Sequence, residues 1–200
     1  MITWHPDFLY SFDLNSLDND KIFKESFIAE NYLKQIIKTE NPDPVYGSFT
    51  TGNFSNYNIL CLPLRETSKL YREIRNYCFP FLNVNEDYWI QSWVNIFRKG
   101  KNIDWHGHWD PEFNVFHGFY CVNVGESYTE YKLPNVGKII KVPSKEGRLV
   151  FGKSGGDQHR SSIWESDTPR ITIAFDIVPF KTFTMFKSGS FEPNHYIPFK

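Results

Sequence analysis

The feature that most constrains this chain is a change of period at Tyr88. From there on, apolar and polar residues alternate in short runs, at residues 89–97, 117–124, 127–132, 138–142, 148–151, 159–164 and 170–178. The runs are separated by turn formers: Arg98-Lys99-Gly100, Val124-Gly125-Glu126, Pro134-Asn135, Lys145-Glu146-Gly147, Gly155-Gly156-Asp157 and Asp167-Thr168-Pro169. A period of two sends successive side chains to opposite faces of a strand. Many short strands at this spacing predict a mainly β sandwich or barrel. Aromatic residues make up 18% of the chain, which favours strands around a bulky interior.

The first 87 residues read differently. Residues 8–14 predict a short strand. Residues 20–39 carry Ile22, Phe23, Phe27, Ile28, Tyr32, Leu33, Ile36 and Ile37 at helical spacing, with Asp18 or Asp20 as the cap and Asn41-Pro42-Asp43-Pro44 as the stop. Residues 45–58, rich in Gly, Ser, Thr and Asn, predict a loop. Residues 65–79 predict a second helix, stopped by Pro80. With no repeat, linker or low-complexity tract, the reading is one domain over residues 1–200: helical support at 1–87, a β core at 88–180 and an extension at 181–200.

Charge and cysteines narrow the function classes. A net charge of −1 offers no global attraction to nucleic acid or to an acidic membrane. Cys61, Cys78 and Cys121 are odd in number and form no CxxC, so neither a disulfide framework nor a zinc ribbon is expected. The N-terminal stretch has no basic n-region and no run of apolar residues long enough to span a bilayer. A cytoplasmic protein is the expectation.

The histidines cluster. Trp105-His106-Gly107-His108-Trp109-Asp110-Pro111 holds two, His117 follows closely, and His159 stands 51 positions after His108. In His108-Trp109-Asp110, residues i and i+2 of an extended segment point to one side, so an imidazole and a carboxylate converge on one ion. A second histidine from a distant strand, His159, completes a facial triad suited to Fe(II), with positions open for substrate and oxygen. Arg170 and Thr172 share a face of the last long strand, and a guanidinium beside a hydroxyl is a receptor for a carboxylate.

These residues resemble the motif of the Fe(II)- and 2-oxoglutarate-dependent oxygenases, which runs His-x-Asp, a distal His, then Arg-x-Ser/Thr. Here the match is His108-Trp109-Asp110, His159 and Arg170-Ile171-Thr172. Two flanking strands are similar to those of prolyl-hydroxylase-like members: His117-Gly118-Phe119-Tyr120-Cys121-Val122-Asn123, and Gly147-Arg148-Leu149-Val150-Phe151 before the distal histidine. The resemblance covers residues 88–180. It implies a double-stranded β-helix (jelly-roll) core with supporting helices. It implies metal ligands His108, Asp110 and His159, and Fe(II) as cofactor. It also implies 2-oxoglutarate as cosubstrate, paired with Arg170 and helped by Thr172 and Asn95. The implied chemistry couples oxygen-dependent decarboxylation of 2-oxoglutarate, giving succinate and carbon dioxide, to hydroxylation of a peptide, protein or small molecule.

The sequence departs from that pattern in two respects. Tyrosines usual in the family are absent near Ile96 or Phe97 and near Cys121, and His106-Gly107-His108 offers a second ligand register. Two other readings compete: a non-catalytic cupin-like binding protein, and a cupin enzyme that uses metal without 2-oxoglutarate. Residues 147–154 also fit G-x-x-x-x-G-K-S. That expression needs a flexible loop opening into a helix, whereas Leu149-Val150-Phe151 predicts strand.

Overall fold

All seven alternating runs form strands. The computed structural model of the chain describes residues 2–5, 9–38, 46–133, 137–185 and 195–200. Its strands are β1 (Ile2–His5), β2 (Leu9–Asp13), β3 (Tyr88–Phe97), β4 (Phe116–Asn123), β5 (Tyr128–Lys132), β6 (Ile139–Pro143), β7 (Arg148–Lys153), β8 (Gln158–Ser161), β9 (Arg170–Pro179) and β10 (Ile197–Phe199). The helices are α1 (Asn19–Ile36), α2 (Phe49–Gly52), α3 (Arg65–Cys78) and α4 (Phe180–Met185), joined by short 3-10 turns. The expected stop at Asn41-Pro42-Asp43-Pro44 and the turn at Pro134-Asn135 lie outside the described residues.

Two antiparallel sheets form. The major sheet has the order β1-β2-β7-β4-β9-β3-β10, and the minor sheet the order β6-β5-β8. Strand β9 sits between β4 and β3 and is buried along its whole length. Its alternation divides two environments. Ile171, Ile173, Phe175 and Ile177 are fully buried in the apolar core. Arg170, Thr172, Ala174 and Asp176 line a cavity. A strand covered on both faces cannot be told by burial alone, and the polar face of β9 is the first sign of a site.

The N-terminal region does more than supply helices. Strand β2 pairs with β7, and β1 with β2, so the chain's start extends the major sheet. The Asp18 side chain accepts from Lys21 N at 3.1 Å and caps α1, which packs on β4 and against α3. The Glu25 carboxylate accepts from Glu66 N at 2.9 Å and Thr67 N at 2.8 Å, satisfying free donors at the start of α3. Residues 49–52, expected as loop, form the short α2 against β3.

Gly118 is required by packing. A Cβ there would meet the Phe175 ring at 2.4 Å and the Val150 carbonyl at 2.6 Å. Its absence lets β4 lie close against the aromatic core beside His117. The G-x-x-x-x-G-K-S stretch falls in β7, which is hydrogen-bonded to β2 on one side and β4 on the other. A strand whose backbone amides are so committed cannot cradle a phosphate. No helix among the described residues is long and apolar enough to cross a membrane.

Candidate metal centre and anion receptor

The cavity between the two sheets has a volume of about 690 Å³. The minor sheet supplies its histidine wall. His106 lies outside any regular strand, between β3 and β4, yet its backbone pairs with His159 of β8: His106 N to His159 O is 3.1 Å, and His159 N to His106 O is 2.9 Å. Residues paired directly across an antiparallel ladder project to the same face. The two imidazoles therefore lie side by side, with ring centroids 4.3 Å apart. His108, two residues on, returns to that face and sits 5.4 Å from His106 and 5.1 Å from His159.

The donor atoms of His106, His108 and His159 lie within 4.8 Å of one another, and so do those of His108, His117 and Asp176. His108 belongs to both groups. Asp110 belongs to neither: its side chain is exposed and it lies where the cavity opens. Its backbone is still extended, and a 3-10 turn at Pro111–Phe113 begins immediately after it.

Which nitrogens are free follows from their partners. His106 Nδ1 lies 2.8 Å from the Asp104 carbonyl, which can only accept, so Nδ1 carries the proton and Nε2 keeps its lone pair. His108 Nε2 and His159 Nδ1 are buried with no hydrogen-bond partner among the described residues. His159 Nδ1 is 3.6 Å from Asp157, beyond hydrogen-bond length. Buried polar atoms without partners are uncommon, and two in one cluster call for a ligand. Burial, aided by His159 and His108, pushes His106 down to about 2, and burial lowers His159 as well. Neutral imidazoles are the form that binds metal.

The major sheet supplies the second wall. Asp176 is 5% exposed and faces two imidazoles and an indole. Its Oδ1 lies 2.8 Å from His117 Nδ1 and 3.4 Å from His108 Nδ1, and its Oδ2 accepts from Trp109 Nε1 at 2.8 Å. Burial pushes the carboxyl up, but the facing His108 and His117 outweigh it and hold it well below the usual carboxylate range. Burial and the neighbouring His108 bring His117 down to about 4 against the pull of Asp176. The carboxylate is thus held by imidazoles and an indole N–H. No Lys or Arg pairs with it among the described residues.

At the other end of β9, six residues and about 20 Å away, Arg170 is 3% exposed. Its Nε donates to Ser127 Oγ at 3.2 Å, and no carboxylate lies within ion-pair distance among the described residues. Asp157 faces His159, and Asp167 pairs with Lys99 at 2.9 Å. Burial pulls the Arg170 pKa below its ordinary value. Beside it, Asn95 of β3 stands opposite Thr172. Asn95 Oδ1 accepts from Thr51 Oγ1 at 2.8 Å and its Nδ2 donates to Thr172 Oγ1 at 3.2 Å. Both ends of the amide are occupied, so Asn95 orients the hydroxyl, and the Thr172 proton is left to donate elsewhere.

Of the residues expected from sequence, His108, His159, Arg170, Thr172 and Asn95 line the cavity together, with Asp110 at its edge. Three others went unassigned. His106 appeared only as an alternative register, and His117 only as a member of the cluster. Asp176 lies inside an apolar run, FDIVP, where a buried acid was itself a signal. The Tyr131 ring, 5.3 Å from His159, comes from β5, whereas family tyrosines were sought near β3 and β4.

No family model matches the sequence, and no curated protein matches it. Solved structures do resemble it. A prolyl hydroxylase in complex with a hypoxia-inducible-factor degradation-domain peptide, from Trichoplax adhaerens, superposes with a TM-score of 0.62 at 11% identity, over 92% of this chain and 89% of that one. The non-haem α-ketoglutarate-dependent carbocyclase SnoK of nogalamycin biosynthesis gives 0.60 at 10% identity, over 97% and 92%. The related epimerase SnoN gives 0.58 at 10%, over 97% and 94%. With its seven- and three-stranded antiparallel sheets closing on a histidine-lined cavity, the chain has the double-stranded β-helix fold of the Fe(II)- and 2-oxoglutarate-dependent oxygenases.

Proposed function

We propose that this chain is an oxidoreductase of the Fe(II)/2-oxoglutarate-dependent dioxygenase class. In this reading it hydroxylates a peptide, protein or small molecule with O2, releasing succinate and carbon dioxide. The observation that carries the reading is the pairing of two unmet needs in one cavity. One end presents convergent imidazoles with buried, unpartnered nitrogens. The other presents a buried guanidinium with no acid in ion-pair reach among the described residues. A divalent ion answers the first, and the far carboxylate of a dicarboxylate answers the second.

The ligand set we assign is His106, His108 and His159. It keeps the expected His108 and His159 and moves the register by two, so that His106 is taken in place of Asp110. The support for this choice is convergence: the three imidazoles share one locus and Asp110 is exposed outside it. Arg170 takes the cosubstrate carboxylate as a forked donor, and Thr172, turned by Asn95, adds a hydroxyl donor. Bound iron supplies the redox chemistry. The protein supplies ligands, orientation and a cavity whose remaining walls include the aromatic rings of Trp93 and Phe54.

The test is an anaerobic titration of metal-free protein with Fe(II), then 2-oxoglutarate, followed by visible absorbance. A weak charge-transfer band that needs both additions, and is lost in Arg170→Ala and His159→Ala, is the expected result. Iron uptake with no band removes 2-oxoglutarate from the reading. No iron uptake removes the enzyme claim.

A further inference from the structure

A three-imidazole metal site has a property that the expected His-x-Asp triad lacks: all its donors are neutral. A divalent ion there carries its full charge among buried side chains, and isolated buried charge is costly. Two acids flank the ligands: Asp157, 3.6 Å from His159 Nδ1, and Asp176, which contacts His108 through Nδ1 at 3.4 Å and has no Lys or Arg partner among the described residues. With Nδ1 turned toward Asp176, the nitrogen His108 has left is Nε2, which is buried and unpartnered.

His117 and Trp109 then acquire a purpose. His117 Nδ1 and Trp109 Nε1, both at 2.8 Å, fix the two carboxylate oxygens. The His117 ring stacks on His108 with centroids 3.6 Å apart and planes 27° apart, so the two imidazoles present their Nδ1 edges to the same oxygen. Trp93 lies on His108 at 5.9 Å in a stacked geometry. His108 is therefore held by its neighbours before any ion arrives.

We propose that Asp176 is a positioning residue for the metal centre. It acts through His108, setting the Nδ1–H tautomer that frees Nε2 and lending the site the negative charge its ligands lack. The carboxylate expected at Asp110 is in effect moved one layer back, onto β9. This rests on the metal reading above and adds a role for residues outside the ligand set. Hydrogen-bonded carboxylates behind metal-bound histidines raise ligand basicity and fix ring orientation, and their loss typically costs about 10- to 100-fold in metal affinity.

The experiment has two arms on the full chain. In the first, ¹⁵N-histidine NMR of the metal-free wild type reads the tautomer of His108. The expected result is a proton on Nδ1, and a proton on Nε2 overturns the proposal without any variant needing to fold. In the second, Co(II) is titrated into wild type and Asp176→Asn, reading d–d absorbance, affinity and stoichiometry, with melting of both metal-free proteins as the folding control. One cobalt per wild-type chain, bound about 10- to 100-fold more weakly by the variant with an altered d–d band, is expected. Equal affinity in the two proteins overturns the positioning role and leaves the metal reading standing. Two cobalt ions per wild-type chain, falling to one in the variant, overturns it also, because Asp176 and His117 then ligate a second ion themselves. No cobalt uptake by wild type overturns the metal reading and this one with it.

Discussion

The two walls of the cavity differ in how their polar groups are satisfied. On the major-sheet wall, Asn95, Thr172, Asp176 and His117 are tied to one another or to near neighbours by bonds of 2.8–3.2 Å. On the minor-sheet wall, His108 and His159 each keep a buried nitrogen without a partner. Arg170 stands between these cases, with one donor used and its charge unmatched. The contrast separates groups that hold from groups that wait. A closed hydrogen-bond network costs little and rigidifies, while an open buried donor or acceptor is destabilising until a ligand meets it. Function is therefore expected where satisfaction fails.

The largest effect belongs to the open wall. His159→Ala removes a ligand and should weaken Fe(II) or Co(II) binding by more than about 100-fold, beyond the range seen for supporting residues, as measured by calorimetry. Unchanged affinity would break the comparison at its strongest point. Next comes Arg170→Ala, which should leave metal affinity unchanged and raise the 2-oxoglutarate Kd by roughly 30-fold or more, the equivalent of about 2–5 kcal/mol for truncating one side of a buried charge pair. A loss of metal binding instead would show that the two ends of β9 do not act separately.

Smaller effects test regions with nothing left to satisfy. Asp13 bonds Arg148 Nε at 2.9 Å and Lys145 Nζ at 2.7 Å across β2 and β7, far from the histidines. The Arg148 bond, then the Lys145 bond, bring its pKa down to about 2. A carboxyl lowered on folding stabilises the native state fully above its unfolded pKa. That contribution should be present above about pH 4 and disappear as pH falls toward the folded value. Partial exposure limits it to under about 1 kcal/mol, so Asp13→Asn should lower stability slightly at pH 7 and not at all once the pH is well below the folded value of about 2, in denaturant titrations. Smallest of all is Asp110→Ala, an exposed change that should alter metal affinity by no more than about 0.5 kcal/mol. A His-x-Asp ligand set demands instead that this variant lose the metal, so one titration chooses between the registers.

Much of this was legible in the sequence because it is periodic. Alternation found each of the seven strands from β3 to β9, and the spacing of Ile22, Phe23, Leu33 and their neighbours found α1. Backbone geometry alone places Arg170 and Thr172 on one face of β9, and all six expected site residues line the cavity, Asp110 as an exposed one. What periodicity does not carry was missed. Strands β1 and β10 are short and take their identity from the partners they pair with, β2 and β3. Asp176 obeys the alternation of β9 as well as Arg170 does, but its neighbours are 59 and 68 positions away in His117 and His108, and no local pattern joins them.

The sequence by itself determined the strand-rich class, the amphipathic helices before it and the chemical kinds gathered at the centre: imidazoles, a guanidinium and a carboxylate. Each follows from local spacing and side-chain type. Only the tertiary structure decided which histidines converge, because that depends on the antiparallel bridge setting His106 against His159, while Asp110 stays exposed. Register between distant segments is an outcome of packing two sheets together, and a shift of two residues leaves the alternating pattern unchanged while replacing one set of side chains at the centre with another.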